Sequence, residues 1–318
     1  MDVLVVGDAN PDLVLAGDTV PRFGQAEQLL DSADLVLGGS ASIMACGLAR
    51  LGVSTGLAAV VGQDAFGDLV IARLRACGVD ATPVVRDPGH PTGLSVILLA
   101  EGDAAHDRAI LTLPGTVPLL RAAHVRQVVE AHRPRHVHVA SYFLQPALAA
   151  ELPGLLAWLR ARGTTVSLDT NWDPKERWAG LDEVLAHVDV FLPNEAEAMA
   201  VARVLGARAD DALAAAAALT AAGCRVVVKR GTRGALSVGP DGTLGPVGAV
   251  VQVDAVPVQP LDSTGAGDSF DAGYVAALVS GVEDEAERLR WAAVAGALST
   301  RGTGGTASQA TRDDLVPR

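Results

Sequence analysis

Short continuous apolar runs alternate with longer amphipathic stretches along most of this chain. Residues 3–7, Val-Leu-Val-Val-Gly, form the first such run, the mark of a strand buried on both faces. Similar runs recur at 56–61, 136–140, 164–168, 188–192 and 225–228. Helical spacing fills the intervals 40–51, 67–77, 148–162, 195–205 and 211–222. This alternation predicts an α/β fold with a mostly parallel sheet and helices on both faces. Ligands in such sheets sit at the carboxyl ends of the strands.

Two segments break the pattern. Residues 13–37 contain Pro21, Gly24 and a strand-like Leu35-Val36-Leu37, and residues 92–112 read as a hairpin with a polar tip at 101–107. Extra strands inserted into an α/β core suit a small β lid. With no internal repeat and no long linker, we expect one domain over residues 1–314 carrying that lid. The last residues, Leu315-Val316-Pro317-Arg318, resemble the stub of a cleavable tag.

Composition narrows the partners. The chain has 318 residues, 25 Lys+Arg against 37 Asp+Glu, and a formal net charge of −12. No basic stripe is present, which argues against nucleic acid. Only Lys175 and Lys229 are lysines, and neither sits in a Gly-Lys-Ser/Thr loop, so ATP handling would proceed without a P-loop lysine. Cys46, Cys77 and Cys224 form no CxxC pair, and we expect buried thiols in a reducing, cytoplasmic setting. No apolar run reaches the roughly 18 residues of a membrane span. His136 and His138 alternate along one strand and are expected on opposite faces, with no shared metal.

The densest chemistry lies at Asp262-Ser263-Thr264-Gly265-Ala266-Gly267-Asp268. Phe270, Tyr274, Ala277 and Leu278 follow at helical spacing, so a helix should start near residue 266. A glycine-rich helix N-terminus presents free N–H groups to an anion. Asp268 would repel a phosphate there, which makes sense if its carboxylate takes a proton from a hydroxyl attacking that phosphate. Complementing the helix dipole is the plain alternative, and on physics alone the two weigh evenly.

This segment resembles the C-terminal signature of the ribokinase-like (PfkB) carbohydrate kinases, Asp-x-x-Gly-Ala-Gly-Asp, at every position. The resemblance implies a ribokinase-like fold, Asp268 as catalytic base, and the amides of Gly265, Ala266 and Gly267 as an anion hole. Pro193-Asn194-Glu195-Ala196-Glu197 resembles the family's Asn-x-x-Glu motif, which implies that Asn194 and Glu197 organise Mg²⁺, its waters and the ATP phosphates. Taken alone, that spacing is also a helix capping pair. Lys229, Gly231, Thr232 and Gly234 match the nucleotide-contacting loop after the next strand, a stretch that also reads as a glycine-rich turn. Asp262 and Thr264, with the loop 301–308, resemble the site of a monovalent cation, K⁺, in many relatives. Gly302-x-Gly304-x-x-Ala307 fits a dinucleotide fingerprint only by accident, because no βαβ unit can follow it.

Sugar-facing positions fall in the first half. Asn10-x-Asp12 resembles the pair that hydrogen-bonds sugar hydroxyls, with an Asx-turn as the local alternative. Gly38-Gly39-Ser40 resembles the N-terminal signature, but Ile43 stands where the family usually has Asn, so one common sugar contact is missing. Ser40 replaces the lysine often found in relatives that take phosphorylated sugars. Asp169 ends another strand at the same edge. Together these features imply a carbohydrate kinase that moves the ATP γ-phosphate to a primary hydroxyl of a small sugar or sugar-like substrate. A nucleoside kinase of the same fold is the first alternative, disfavoured by scarce first-half aromatics: Phe23, Phe66, Tyr142 and Phe143. A non-catalytic sensing protein is the second. Pairing of two copies through the lid is the preferred assembly.

Overall fold

The computed structural model describes residues 1–99, 108–240 and 250–315. Its strands in chain order are β1 (Val3–Val6), β2 (Asn10–Gly17), β3 (Leu30–Gly38), β4 (Thr55–Ala58), β5 (Val60–Gly62), β6 (Val85–Asp87), β7 (Leu94–Leu99), β8 (Arg108–Leu113), β9 (His136–Val139), β10 (Thr165–Leu168), β11 (Val190–Phe191), β12 (Arg225–Lys229), β13 (Ala235–Val238) and β14 (Val250–Val253). The helices are α1 (Ser40–Arg50), α2 (Ala65–Ala76), α3 (Ala122–His132), α4 (Pro146–Ala149), α5 (Leu152–Arg160), α6 (Leu181–Leu185), α7 (Glu195–Val204), α8 (Ala212–Leu219), α9 (Ala266–Val279), α10 (Glu285–Ser299) and α11 (Arg312–Leu315).

The main sheet runs β14-β13-β12-β11-β10-β9-β1-β4. Its six strands from β12 to β4 are parallel, and β13 and β14 add an antiparallel edge. The parallel strands are apolar on both faces because both faces are covered. Leu4 and Val6 pack with α3, α5, α7 and α8, while Val3 and Val5 pack with α1, α9 and α10. Small residues let the second layer pack closely. A Cβ on Gly47 would come within 2.9 Å of Ala272, so α1 and α9 touch almost backbone to backbone.

From β1 the chain steps outward to β4, whereas from β9 it steps the other way through β10, β11 and β12. The strand order therefore reverses between β1 and β9, which opens a crevice at their carboxyl ends. A second sheet, β3-β2-β7-β8, rises from that end. It is built from the two segments that broke the α/β alternation, and the expected hairpin pairs Leu94–Leu99 with Arg108–Leu113. The expected polar tip, 101–107, lies outside the described residues.

Two expectations need correction. The run 56–61 is two strands, β4 in the main sheet and β5 paired with β6. His136 and His138 share a face, because residues two apart on a strand always do. Both hydrogen-bond Ser167 Oγ, at 2.7 and 2.8 Å, and burial drives both imidazoles down to about 3, so they are neutral polar core rather than ligands. Leu315 is 5% exposed, ends α11 and joins the core beside α10. Residues 316–318 lie outside the described residues.

Candidate active site

A cleft of about 960 Å³ lies at the carboxyl ends of the strands, between the main sheet and the smaller one. The loop after β1 supplies Asp8, and β2 opens with Asn10 and continues with Asp12. All three are buried. Asn10 Nδ2 donates to Asp12 Oδ1 at 3.0 Å and reaches Ser95 Oγ of β7 at 3.4 Å. Ser95 in turn pairs with Thr112 of β8 at 3.3 Å. This is a polar row spanning three strands of the smaller sheet, not an isolated Asx-turn. Burial, and then the charge of Asp8, push the Asp12 carboxyl up to about 7.

Gly38 and Gly39 shape that corner. Any Cβ on Gly38 would overlap the Asp12 carboxyl, and Gly39 holds φ +80° against the backbone of Asp8. Asp8 accepts from the amides of Ser40 and Ala41 at 3.1 and 3.0 Å, satisfying orphan donors at the start of α1. Asp8 was not singled out in the sequence, because the amides it serves lie some thirty residues away.

Across the cleft, Gly265 takes φ +72° and α9 begins at Ala266. A Cβ on Gly265 would meet Gly305 Cα at 2.7 Å and Ile43 Cγ2 at 2.9 Å. Ile43 thus packs against the glycine turn rather than offering a polar group, so its replacement of the usual Asn is a packing role. The amides of Gly267 and Asp268 find no backbone acceptor among the described residues, as expected of a helix start. Asp262 braces the turn from behind, with Oδ1 accepting from Thr264 N and Oδ2 from Gly304 N, both at 2.8 Å. Thr264 Oγ1 is buried with no hydrogen-bond partner among the described residues.

Asp268 lines the cleft at 9% exposure. Burial, reinforced by the charge of Asp169, pushes its carboxyl up to about 6. Glu197, the third residue of α7, forms a reciprocal cap with Asn194: Asn194 N donates to Glu197 Oε2 at 2.8 Å and Glu197 N to Asn194 Oδ1 at 3.0 Å. The capping interpretation of that motif is therefore correct as geometry, and it also fixes Glu197 on the cleft wall. Burial, and then Asp169, push Glu197 up to about 7.

Lys229, at the end of β12, donates to Asp169 Oδ2 at 2.6 Å and to both oxygens of Asp271 at 3.2 Å. Burial alone would lower the Lys229 pKa, but Asp169, Asp271 and Glu197 raise it above the ordinary lysine range. Asp169 is held below the usual carboxylate range: burial opposes its charge, but Lys229 outweighs it. Asp271 lies well above that range, mainly through burial. Asp271 was missed in the sequence, although its place one turn after Asp268 put it on the same helix face.

Gly231 lines the cleft, while Thr232 and Gly234 stand back from it in a tight turn, Gly234 at φ +74° beneath Val253. Four carboxylates, Asp169, Glu197, Asp268 and Asp271, thus gather near one ammonium. Three of them are held above their ordinary range. Among the described residues no three of these side chains are arranged to hold a metal ion on their own, so Glu197 and Asp268 would meet a divalent cation such as Mg²⁺ only together with water or ligand oxygens.

The family model described as pfkB family carbohydrate kinase matches residues 1–312. The Halopiger xanaduensis ATP-dependent ribose-1-phosphate kinase is 32% identical, covering 99% of this chain and 96% of its own. The Bacillus subtilis ribokinase is 26% identical over 99% of this chain and 98% of its own. Among solved structures, Arabidopsis thaliana ribokinase with ribose and ATP superimposes with a TM-score of 0.81 at 24% identity, covering 99% and 97% of the two chains. An Escherichia coli protein assigned as ribokinase II, solved with ATP and Mg²⁺, gives 0.82 at 23% identity with the same coverage. No helix among the described residues is long and apolar enough to cross a membrane. With a ribokinase-like fold, the complete C-terminal signature around Asp268 and a family match over nearly its whole length, this chain belongs to the pfkB family of carbohydrate kinases and is a kinase.

Proposed function

We propose that this kinase transfers the γ-phosphate of ATP to a primary hydroxyl of a small sugar or sugar-like acceptor, with Asp268 as general base. The observation that carries this reading is the buried Asp268 carboxylate, pushed up to about 6, beside the unpaired amides at the start of α9. A base poised near neutrality takes a hydroxyl proton best when its pKa lies close to the working pH. The amides of Gly265, Ala266 and Gly267 would stabilise charge developing on the moving phosphoryl group, Ala266 N turning to it from its 3.3 Å bond to Ser263 O.

Asn10, Asp12 and Ser40, with Gly38 and Gly39 behind them, would hold the acceptor on the β1 side. Asn194, Glu197 and Gly231 would hold the nucleotide on the β11–β12 side, with Thr232 and Gly234 shaping its loop. Lys229 and Asp169 would act between them as a fixed ion pair that sets the local field. Glu197 would hold Mg²⁺, through water, and the ion when bound would neutralise charge on the ATP phosphates. K⁺ beside Asp262 and Thr264 belongs to the same proposal, and the buried, unpartnered Thr264 Oγ1 supports it. Residues 13–37 and 92–112 would close as a lid and exclude water. Pairing of two copies through that lid and a cytoplasmic setting complete the reading.

A coupled ADP-release screen over ketoses, aldoses, sugar acids and nucleosides tests it. Turnover of one acceptor class is expected. No turnover with any class would contradict the proposal and favour a sensing protein.

A further inference from the structure

The cleft lining divides into a group of polyol-suited side chains and an apolar wall. On one side stand the polyol-suited groups Asn10, Asp12, Ser95 and Thr112. The apolar wall is carried by Val117, Phe143, Pro146 and Trp172, from loops outside the smaller sheet, while Ile97 and Ile110 continue the polar row on the same face of β7 and β8. The strand order sets the two side by side, because β9, which leads to Phe143, is the neighbour of β1, which leads to Asn10. A free pentose or hexose carries a hydroxyl on nearly every carbon. Hydroxyls set against the side chains of Val117, Phe143, Pro146 and Trp172 would find few partners there.

Trp172 is the largest side chain of that wall. It is 50% exposed and lines the cleft. Its ring meets Trp178 edge to face at 5.1 Å, Trp178 meets Phe143 at 5.4 Å, and Phe143 meets Tyr142 at 5.0 Å. The backbone around it is fixed on both sides. Asn171 N donates to Asp169 Oδ1 at 3.0 Å, and Asn171 Oδ1 accepts from Ser141 N at 2.8 Å. Asp173 accepts from the amides of Lys175, Arg177 and Trp178 at 2.7–2.9 Å. Asn171, Glu176 and Trp178 all sit at positive φ, 53°, 51° and 52°, without being glycine. Strain of this kind, of order 1–3 kcal/mol per residue, persists only where the surrounding structure over-determines the backbone. Trp172 follows the first of these residues and stands half open to the cleft.

We infer that the acceptor is a nucleoside: a ribosyl-type polyol read by Asn10 and Asp12, carrying a planar heterocycle that lies against Trp172 and Phe143. This rests on the kinase reading above and names its substrate class. The sequence had disfavoured a nucleoside for want of first-half aromatics, but the fold brings Trp172 from the second half to the same cleft.

The test uses the full chain with ATP and Mg²⁺, comparing ribose with adenosine, inosine, uridine and cytidine as acceptors, in wild type, Trp172→Ala and Trp172→Phe. At least one nucleoside should exceed ribose in kcat/KM by about tenfold or more, the scale of one ring–aromatic stack. Trp172→Ala should raise that nucleoside's KM by about tenfold, Trp172→Phe should largely restore it, and the KM for ATP should not move. The same nucleoside, added without ATP, should quench tryptophan fluorescence in wild type and not in Trp172→Phe. Turnover of ribose at equal or better efficiency, or an unchanged acceptor KM in Trp172→Ala, would overturn the nucleoside assignment and leave the kinase reading standing. Quenching without any turnover would overturn the kinase reading and support the wall. Absence of quenching by every nucleoside would overturn the wall, whatever turnover shows.

Discussion

Lys229 Nζ lies 2.6 Å from Asp169 Oδ2, and this ion pair is almost wholly withdrawn from water. The ammonium also holds Asp271, at 3.2 Å. One of only two lysines in a chain of net charge −12 is thus engaged by the protein's own carboxylates. Its charge makes a floor of buried acids tolerable beneath a site that must receive a polyanion.

Removing that charge should therefore be costly. Lys229→Met leaves Asp169 and Asp271 buried without a counter-charge, and breaking such a pair costs about 3–5 kcal/mol. In the variant, burial would raise both carboxyl pKa values above their unfolded values. The sign follows: stability falls as pH rises from about 4 to 7, so the deficit is largest near neutrality. Urea unfolding of wild type and variant at pH 5 and pH 7.5 checks this. A deficit that is equal at both pH values, or absent, contradicts it.

Asp268 carries a separate stability cost. Its carboxyl is pushed from 3.8 to about 6 by burial and by Asp169. A group that binds its proton more tightly when folded loses stability as pH rises through that window, and at pH 7 the cost is on the order of 3 kcal/mol. Asp268→Asn should therefore raise the melting temperature of the unliganded protein by several degrees at pH 7.5 and by little at pH 4.5. Calorimetry at the two pH values reads the difference. A lower melting temperature at pH 7.5 would contradict the placement of a buried, disfavoured charge.

How far this was legible in the sequence depends on the residue. The central strands were readable because parallel strands covered on both faces must be apolar without interruption. Helix α10 was not, since it packs alanine and glycine on α9 and shows little contrast between its faces. Helix α3 and the antiparallel edge β13–β14 were not singled out either. Asp268, Glu197 and Asp12 were readable because each sits in a local motif. Asp8, Asp271 and Trp172 were not, because each acquires its role from a partner in another segment: the amides of α1, Lys229, and the aromatic run from Tyr142 to Trp178.

A glycine offers the sharpest test of the acceptor side. A Cβ at Gly38 would overlap the Asp12 carboxyl, so Gly38→Ala should push that side chain out of its row with Asn10 and Ser95. A misplacement of about 1 Å can cost roughly a hundredfold. We expect the acceptor KM to rise at least tenfold, with the KM for ATP nearly unchanged. Equal losses on both substrates would mean that Gly38 supports the fold rather than Asp12.

The pH profile should report the base. With a carboxyl near 6 in the free enzyme, kcat/KM should be level above about pH 7 and fall tenfold per unit well below 6. A profile that stays level down to pH 5 would remove Asp268 from proton transfer.

The most direct measurement is ADP release by Asp268→Asn beside wild type, with the acceptor that the screen identifies, together with the ATP dissociation constant of each. The amide keeps the shape of the side chain and removes its basicity. Loss of general base catalysis should lower kcat by about 10²–10⁴-fold, with ATP binding within a few-fold of wild type. Turnover within tenfold of wild type would show that Asp268 is not the base.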